Sequence, residues 1–405
     1  MTDFPGDFLW GSATAAHQVE GGNTNNDWWD FEHDPTTAAR QSSGDGIDHY
    51  HRYAADFALL ASLGHNAHRL SVEWSRIEPA PGEFSRAALA HYRRVLTALR
   101  DEGLTAFVTL HHFTLPRWFA ARGGWLAPDA AATFSHYAAR VAAELGDLMP
   151  YICTINEPQM IALHGYLEGY HPPGVTNPIL WKRAGEALLE AHLHGVQAVR
   201  GFTGGRVGLA VQLPLLAPVR EGPFFDEMRY EIVDRYLDNL TGPDAGDWLG
   251  VQYYRKQWVD PDSPTFFGKP PPGVPVTQMG WAVHPDGLRE MLHRAARTGL
   301  PLYVTENGIA TADDTERVSY LEGHLRALVQ ARAEGVDVRG YLHWSAFDNF
   351  EWSEGYRPKF GLIAVGDDFT RHPKPSAYAL ARVARSGRLD SLGENGGTPA
   401  GRPAR

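Results

Sequence analysis

One cysteine, Cys153, in a chain of 405 residues excludes an intrachain disulfide and any zinc site built from several thiolates. Basic residues are also short, 37 against 48 acidic ones, for a net charge of −11. A nucleic-acid binder usually carries a basic face, so no nucleic-acid partner is expected. No apolar run reaches the roughly 18 residues that span a bilayer, so no membrane is expected either. The opening residues, MTDFPGDFLW, hold neither the basic nor the apolar region of a secretory leader, and a cytoplasmic location is the expectation. The first apolar run contains no His-x-His pair, and His111 and His112, adjacent on one run, should point to opposite faces. No metal or other cofactor is therefore expected.

Aromatic residues, by contrast, are plentiful: 12 Trp, 16 Tyr and 18 Phe. Most must serve packing, but aromatic faces also stack on the C–H faces of sugars, so their positions matter. Eight short apolar runs recur along the chain: 8–14, 65–74, 105–112, 151–157, 206–212, 248–254, 301–306 and 339–344. Most are too continuously apolar to be half-exposed strands, which suits a parallel sheet covered on both faces. Between them lie segments of helical period, among them 86–102, 130–145 and 320–334. Eight βα units in one chain predict a single (β/α)8 TIM barrel over residues 1–385. Residues 260–275, rich in Pro and Gly, read as a surface loop over the barrel mouth. Residues 386–405 are polar and Gly/Pro-rich, and a disordered tail is expected there.

Barrels of this kind place their chemistry at the C-terminal ends of strands. Polar residues close or follow most of the runs: His17 and Gln18 after the first, Arg69 and Glu73 in the second, His111 and His112 in the third. The fourth ends in Asn156 and Glu157, the sixth in Gln252, Tyr253 and Tyr254, the seventh in Glu306 and Asn307. The eighth continues from Trp344 to Asp348, Asn349, Glu351 and Trp352. Glu157 and Glu306 would then face each other across one opening. Such a carboxyl pair suits cleavage of a glycosidic bond, where one group protonates the leaving oxygen and the other attacks the sugar or activates water.

The motifs resemble those of the family-1 glycoside hydrolases, the β-glucosidase type, from about Phe4 to Arg385. FLWGSATAAHQVEG (8–21), HRLSVEWSRIEP (68–79), TLHHFTLPRW (109–118), TINEP (154–158), TENG (305–308) and WSAFDNFEW (344–352) with GYRPKFGL (355–362) match in order. The resemblance implies Glu157 as acid/base and Glu306 as nucleophile. It implies that Gln18, His112, Asn156, Glu351 and Trp352 hold the non-reducing-end sugar over a Trp344 floor, with Arg69 and Tyr254 flanking the nucleophile. A small β-glycoside, most simply a β-glucoside, is the implied substrate, cleaved by a retaining double displacement. That outcome requires carboxyl groups roughly 5–5.5 Å apart.

The chemistry of these residue types agrees. A guanidinium and a phenol beside Glu306 favour its ionised form, and the charge of Glu306 in turn favours a protonated Glu157. Glu351, beside the sugar's O4 and O6, would disfavour a 6-phosphate, although Arg357 and Lys359 stand close in sequence. Phe113, Thr114, Gln159 and Gln252 depart from residues common in the family (Trp, Asp, Trp and Asn), which bears on sugar preference more than on hydrolysis. A transglycosylase would use the same residues with an acceptor alcohol in place of water. A silent sugar-binding barrel would be expected to have lost one of the two glutamates. The leaving-group pocket is expected from loops 159–182, 213–230 and 255–281.

Overall fold

All eight apolar runs become strands of one sheet in the computed structural model, which describes residues 3–393. They are β1 (Leu9–Ala13), β2 (Ala67–Ser71), β3 (Thr105–His111), β4 (Tyr151–Asn156), β5 (Arg206–Gln212), β6 (Trp248–Gln252), β7 (Leu302–Glu306) and β8 (Val338–His343). Neighbours in sequence are neighbours in space, and β8 pairs with β1 to close the barrel. Every adjacent pair is parallel.

The helical segments form the outer layer. Arg86–Asp101 shows why: Leu89, Tyr92, Val95, Leu96 and Leu99 fall on one buried face at spacings of three and four. Each such side chain contributes about 1.5–3 kcal/mol on burial. The helix is started by Ser85, whose side chain accepts from the Ala88 N–H at 3.2 Å, a cap worth about 1 kcal/mol. The segment expected at 320–334 begins earlier, as Asp314–Ala333, because Asp313 caps it through the Thr315 N–H. Among the described residues, no helix is long and apolar enough to cross a membrane.

Aromatic side chains plug the N-terminal end of the barrel. Phe107 stacks on Tyr151 at 4.3 Å and meets Trp248 and Tyr303 edge-on at 5.5 and 5.3 Å. Gly208 makes room for them: a Cβ there would lie 2.5 Å from a ring carbon of Trp248. Cys153 is buried in the same cluster. With this end filled, only the C-terminal end is left to open as a cavity.

Two expectations change. Residues 256–268 contribute more than a loop: Lys256–Val259 pairs with Leu215–Pro218 and with Phe267–Gly268 in a small three-stranded sheet. The tail does not lose order at Ser386. Past the helix Pro375–Ser386, Leu389–Gly393 forms a 3-10 turn that buries Leu389 and Leu392. The Leu389 N–H donates to the Asp3 carboxylate at 2.7 Å, and Arg382 donates to the carbonyls of Ser391 and Leu392 at 3.0 and 2.8 Å. Two leucines and one arginine thus anchor a stretch whose composition alone looks unfoldable. Residues 394–405 lie outside the described residues.

Candidate active site

Strict alternation along β4 would turn Asn156 outward with Thr154, which bonds His192 on the outer helix Pro178–Arg200 at 2.7 Å. The pairing register with β5 slips between Cys153 and Asn156. That irregularity brings Asn156 inward, as such features do next to active sites. A second slip, between Val304 and Glu306 on β7, does the same for Glu306. Glu157, the residue after β4, takes φ 47° and ψ 58°, a left-handed conformation costly for a side-chain-bearing residue. Its backbone is over-determined there. Its N–H donates to the Ala210 carbonyl at 2.8 Å, and its own carbonyl accepts from Met160 N–H at 2.9 Å as a helix opens on Pro158.

Glu306 sits in a dense set of donors. Arg69 Nη1 donates to its Oε1 at 2.5 Å, Gln252 Nε2 to the same oxygen at 2.8 Å, and the Tyr254 hydroxyl to Oε2 at 2.5 Å. Arg69 itself is wholly buried. Its Nε donates to Thr109 and its Nη2 to Asn156 Oδ1, so it pairs with Glu306 rather than with Glu73. Burial holds the Glu306 carboxyl above its usual value, and the Arg69 charge and the Tyr254 and Arg69 hydrogen bonds oppose that rise in part.

Glu157 receives one side-chain donor, Gln212 Nε2 at 3.1 Å. Burial and then the charge of Glu306 push its carboxyl well above the usual range. Two carboxyls in one buried site thus have opposite environments: one rich in donors, the other nearly without them. The proton of the pair stays on Glu157. Gln212 is absent from the sequence-based set. It ends β5, so the strand-end rule applied to that strand would have found it.

Asn156 fixes a tautomer. Its Oδ1 already accepts from Arg69 and from Gln252 at 2.8 Å, so its Nδ2 must face His112 Nε2, 3.2 Å away. An amide donor there makes Nε2 the acceptor and leaves the His112 proton on Nδ1, which has no partner among the described residues. Burial and the Arg69 charge hold His112 well below its usual pKa, hence neutral. Its ring lies nearly parallel to Trp344 and Trp352, both at 6.0 Å. His111 turns away, edge-on to Trp125 at 5.0 Å.

Gln18 is fully buried behind Glu351, donating to the Phe350 carbonyl at 2.7 Å and to Glu351 Oε2 at 3.3 Å, while its Oε1 has no partner among the described residues. Glu351 is pushed up to about 8 by burial and by the Glu306 charge, against hydrogen bonds from Trp344, Asn349 and Gln18. Other strand-end polar groups are spent on structure. His17 bonds Glu32 at 3.2 Å, Glu73 accepts from Ser75 and Thr114 at 2.9 Å, and Asp348 pairs with Lys374 at 2.8 Å.

The model of Glycosyl hydrolase family 1 matches residues 1–239 and 231–388. The chain belongs to glycosyl hydrolase family 1. It is a β-glucosidase-like glycosidase, as its motifs implied. Beta-glucosidase A of Thermotoga maritima is 32% identical over 96% of this chain and 99% of its own. A bifunctional beta-D-glucosidase/beta-D-fucosidase of Bifidobacterium breve is 34% identical over 93% and 96%. Among solved structures, a beta-glycosidase from Pyrococcus horikoshii superposes with a TM-score of 0.89 at 36% identity, covering 96% of each chain.

The cavity of this family-1 glycosidase has a volume of about 360 Å³, and both glutamates line it together with His112, Asn156, Tyr254, Trp344, Glu351 and Trp352. Arg69 and Gln18 are not among the lining residues and act from behind. Loops 159–182 and 255–281 reach the cavity, through His164, Tyr170 and His171 and through Arg255, Met279 and Trp281. Loop 213–230 does not: its strand Leu215–Pro218 is occupied pairing with Lys256–Val259. Ala38 and Arg40 line the wall instead, from the connection after β1. Arg357 and Lys359 line no part of it. Arg357 donates to the Gln278 carbonyl at 2.9 Å.

The departures from common family residues fit the packing. Gln252 is long enough to bridge Asn156 and Glu306, both at 2.8 Å. Gln159 donates to the Gln212 carbonyl at 2.6 Å and so steadies the residue that bonds Glu157. Thr114 bonds Glu73 at 2.9 and 3.0 Å. Phe113 packs on Trp352 at 5.0 Å and offers no donor.

Proposed function

We propose that this protein is a retaining β-glycosidase that releases terminal non-reducing β-D-glycosyl residues, β-glucosyl first among them, from small glycosides. The unequal donor sets of its two buried glutamates carry the reading. A nucleophile must be ionised, and Glu306 has a guanidinium, an amide and a phenol to keep it so. An acid must hold a proton, and Glu157, one amide apart, is left to burial and to its neighbour's charge.

In the first step a Glu306 oxygen forms a bond to C1 as the bond from C1 to the leaving oxygen breaks, and Glu157 gives that oxygen its proton. Esterification removes the charge of Glu306, which lowers the pKa of Glu157 and turns it into a base. Glu157 then takes a proton from water as the water oxygen attacks C1 and the bond from C1 to the Glu306 oxygen breaks, which returns Glu306 as a carboxylate. Two inversions give net retention. The His112 Nδ1–H and the Glu351 carboxyl, which the Gln18 amide holds from behind, are polar groups offered to the sugar, above the indoles of Trp344 and Trp352. A sugar hydroxyl donating to Glu351 favours its ionised form, so substrate binding itself should charge it. The twofold specificity named for the Bifidobacterium breve relative supports testing β-fucosides beside β-glucosides.

Aryl β-glycosides test the assignment. Glu157→Ala with added azide should regain turnover of an activated aryl β-glucoside and yield the β-configured glycosyl azide. Failure of rescue, or an α-configured product, refutes the roles of the two glutamates.

A further inference from the structure

Besides the buried Arg69, two guanidinium groups belong to this site, and both line the cavity: Arg40 and Arg255. Arg40 is accounted for. It pairs with Glu354 at 3.2 Å at the exposed rim. Arg255 is not. It follows Tyr254 beyond β6, its carbonyl accepting from the Leu215 N–H at 3.1 Å. Its guanidinium lies over the Trp281 ring, 4.6 Å from the centroid. Its Nε is sealed from solvent without a hydrogen-bond partner. Among the described residues, no group accepts a hydrogen bond from this side chain and no carboxylate pairs with it.

The groups that feel its charge are Tyr170, Glu168 and Glu157. The nearest independent carboxylate is already engaged: Glu168 Oε2 faces His164 Nδ1 at 2.6 Å, and the Tyr170 hydroxyl bonds the same ring at 2.6 Å. Glu157 holds its proton for the leaving oxygen and is not a resident anion. A guanidinium presents a rigid fork of donors that fits a carboxylate in two parallel bonds, and a half-buried one without a partner is unfavourable. It shares the cavity with Glu157, whose charge it feels, and this points to the leaving-group side of the bond that is cut. The wall around it is flat and apolar, formed by Trp281, Met279 and the Tyr170 ring.

Resting on the assignment of Glu157 and Glu306 as the catalytic pair, we propose that Arg255 is a specificity residue for β-glycosides whose aromatic aglycone carries a carboxylate. The ring lies along Trp281 and Met279, and the carboxylate completes the ion pair that the protein leaves open. A free carboxylate in this position adds negative charge near Glu157 and helps it keep its proton until the leaving oxygen needs it.

The test compares two substrates that differ only in that charge: the β-D-glucosides of 4-hydroxyphenylacetate and of 4-hydroxyphenylacetamide. Their phenols are similar leaving groups, so the ratio of kcat/KM reports recognition. The wild type should favour the carboxylate by roughly tenfold or more, the scale of one charge-assisted contact, and added salt should shrink the preference. Arg255→Met should remove the preference, whatever it does to the amide substrate, and Arg255→Lys should keep part of it. A wild-type ratio at or below one overturns the proposal, as does an equal loss on both substrates in Arg255→Met. The wild-type ratio and its salt dependence decide the matter even if Arg255→Met does not fold. Turnover of the amide without a charge preference refutes this inference alone. Inactivity on both, and on 4-nitrophenyl β-glycosides, refutes the catalytic reading beneath it.

Discussion

Replacing Glu306 by Gln removes one charge from beside Glu157 and little else of its shape. The proton affinity of Glu157 then reports how strongly the two carboxyls are coupled. At the roughly 5.5 Å that a retaining pair requires, with an effective dielectric of about 20, Coulomb's law gives about 3 kcal/mol, or about two pH units. The sign is fixed: the Glu306 charge opposes ionisation of Glu157, so its loss lowers the Glu157 pKa. Burial is the larger cause of the upward displacement and survives the substitution, so Glu157 should still titrate above an ordinary glutamate. Carbon NMR of protein labelled at the glutamate carboxyl reads this directly, with the Glu157 signal assigned by its loss in Glu157→Gln. In the unsubstituted protein the two titrations belong to the pair and should appear as two separated steps. A Glu157 midpoint that moves by less than about half a pH unit in Glu306→Gln would refute the coupling and leave burial as the whole cause.

Glu351 makes stability depend on pH. It is pushed up to about 8 in the folded chain, whereas a glutamate in an unfolded chain titrates near ~4.3. Between those values the folded state holds one proton more, so stability falls as pH rises through that window, by at most about 1.4 kcal/mol per pH unit from this group. Urea unfolding at about pH 5 and about pH 8 should show a smaller loss in Glu351→Gln than in the unsubstituted protein, and an equal loss refutes the assignment. Gln212→Ala removes the amide that favours the charged form of Glu157. A neutral hydrogen bond is worth about 1 kcal/mol, so kcat/KM should drop roughly fivefold and its alkaline limb should move up. An alkaline limb that stays in place or moves down contradicts a Gln212 that steadies the Glu157 anion.

The eight strands are legible in the sequence to within a few residues, because strands covered on both faces need long apolar runs and few other segments tolerate them. The paired glutamates are legible because two of them end separate runs that a closed barrel brings to one opening, whereas a single carboxylate such as Glu73 can be spent on structure. Four kinds of feature escape. The sheet formed by Leu215–Pro218, Lys256–Val259 and Phe267–Gly268 depends on pairing between distant segments that carry no strong pattern. The turn at Leu389–Gly393 depends on Asp3 and Arg382, which only the folded chain brings to it. Arg255 escapes because a guanidinium in a loop gains meaning only from what lies within reach of it, whereas Gln212, at the end of β5, was open to the strand-end rule. The register slips on β4 and β7 are equally hidden, although the positions of Asn156 and Glu306 depend on them.

Asn156 is bonded to Arg69, to Gln252 and to His112, and the first two also hold Glu306. In the proposed mechanism, sugar recognition and nucleophile charge therefore share parts, and a substitution that reshapes one should disturb the other. The far side of the cavity is wired differently. Arg255 rests on Trp281 and is tied by no hydrogen bond to the catalytic network. Under selection the two halves should change at different rates. The sugar side is held still by the reaction it serves, while the leaving-group side is free to follow whichever glycosides the environment supplies.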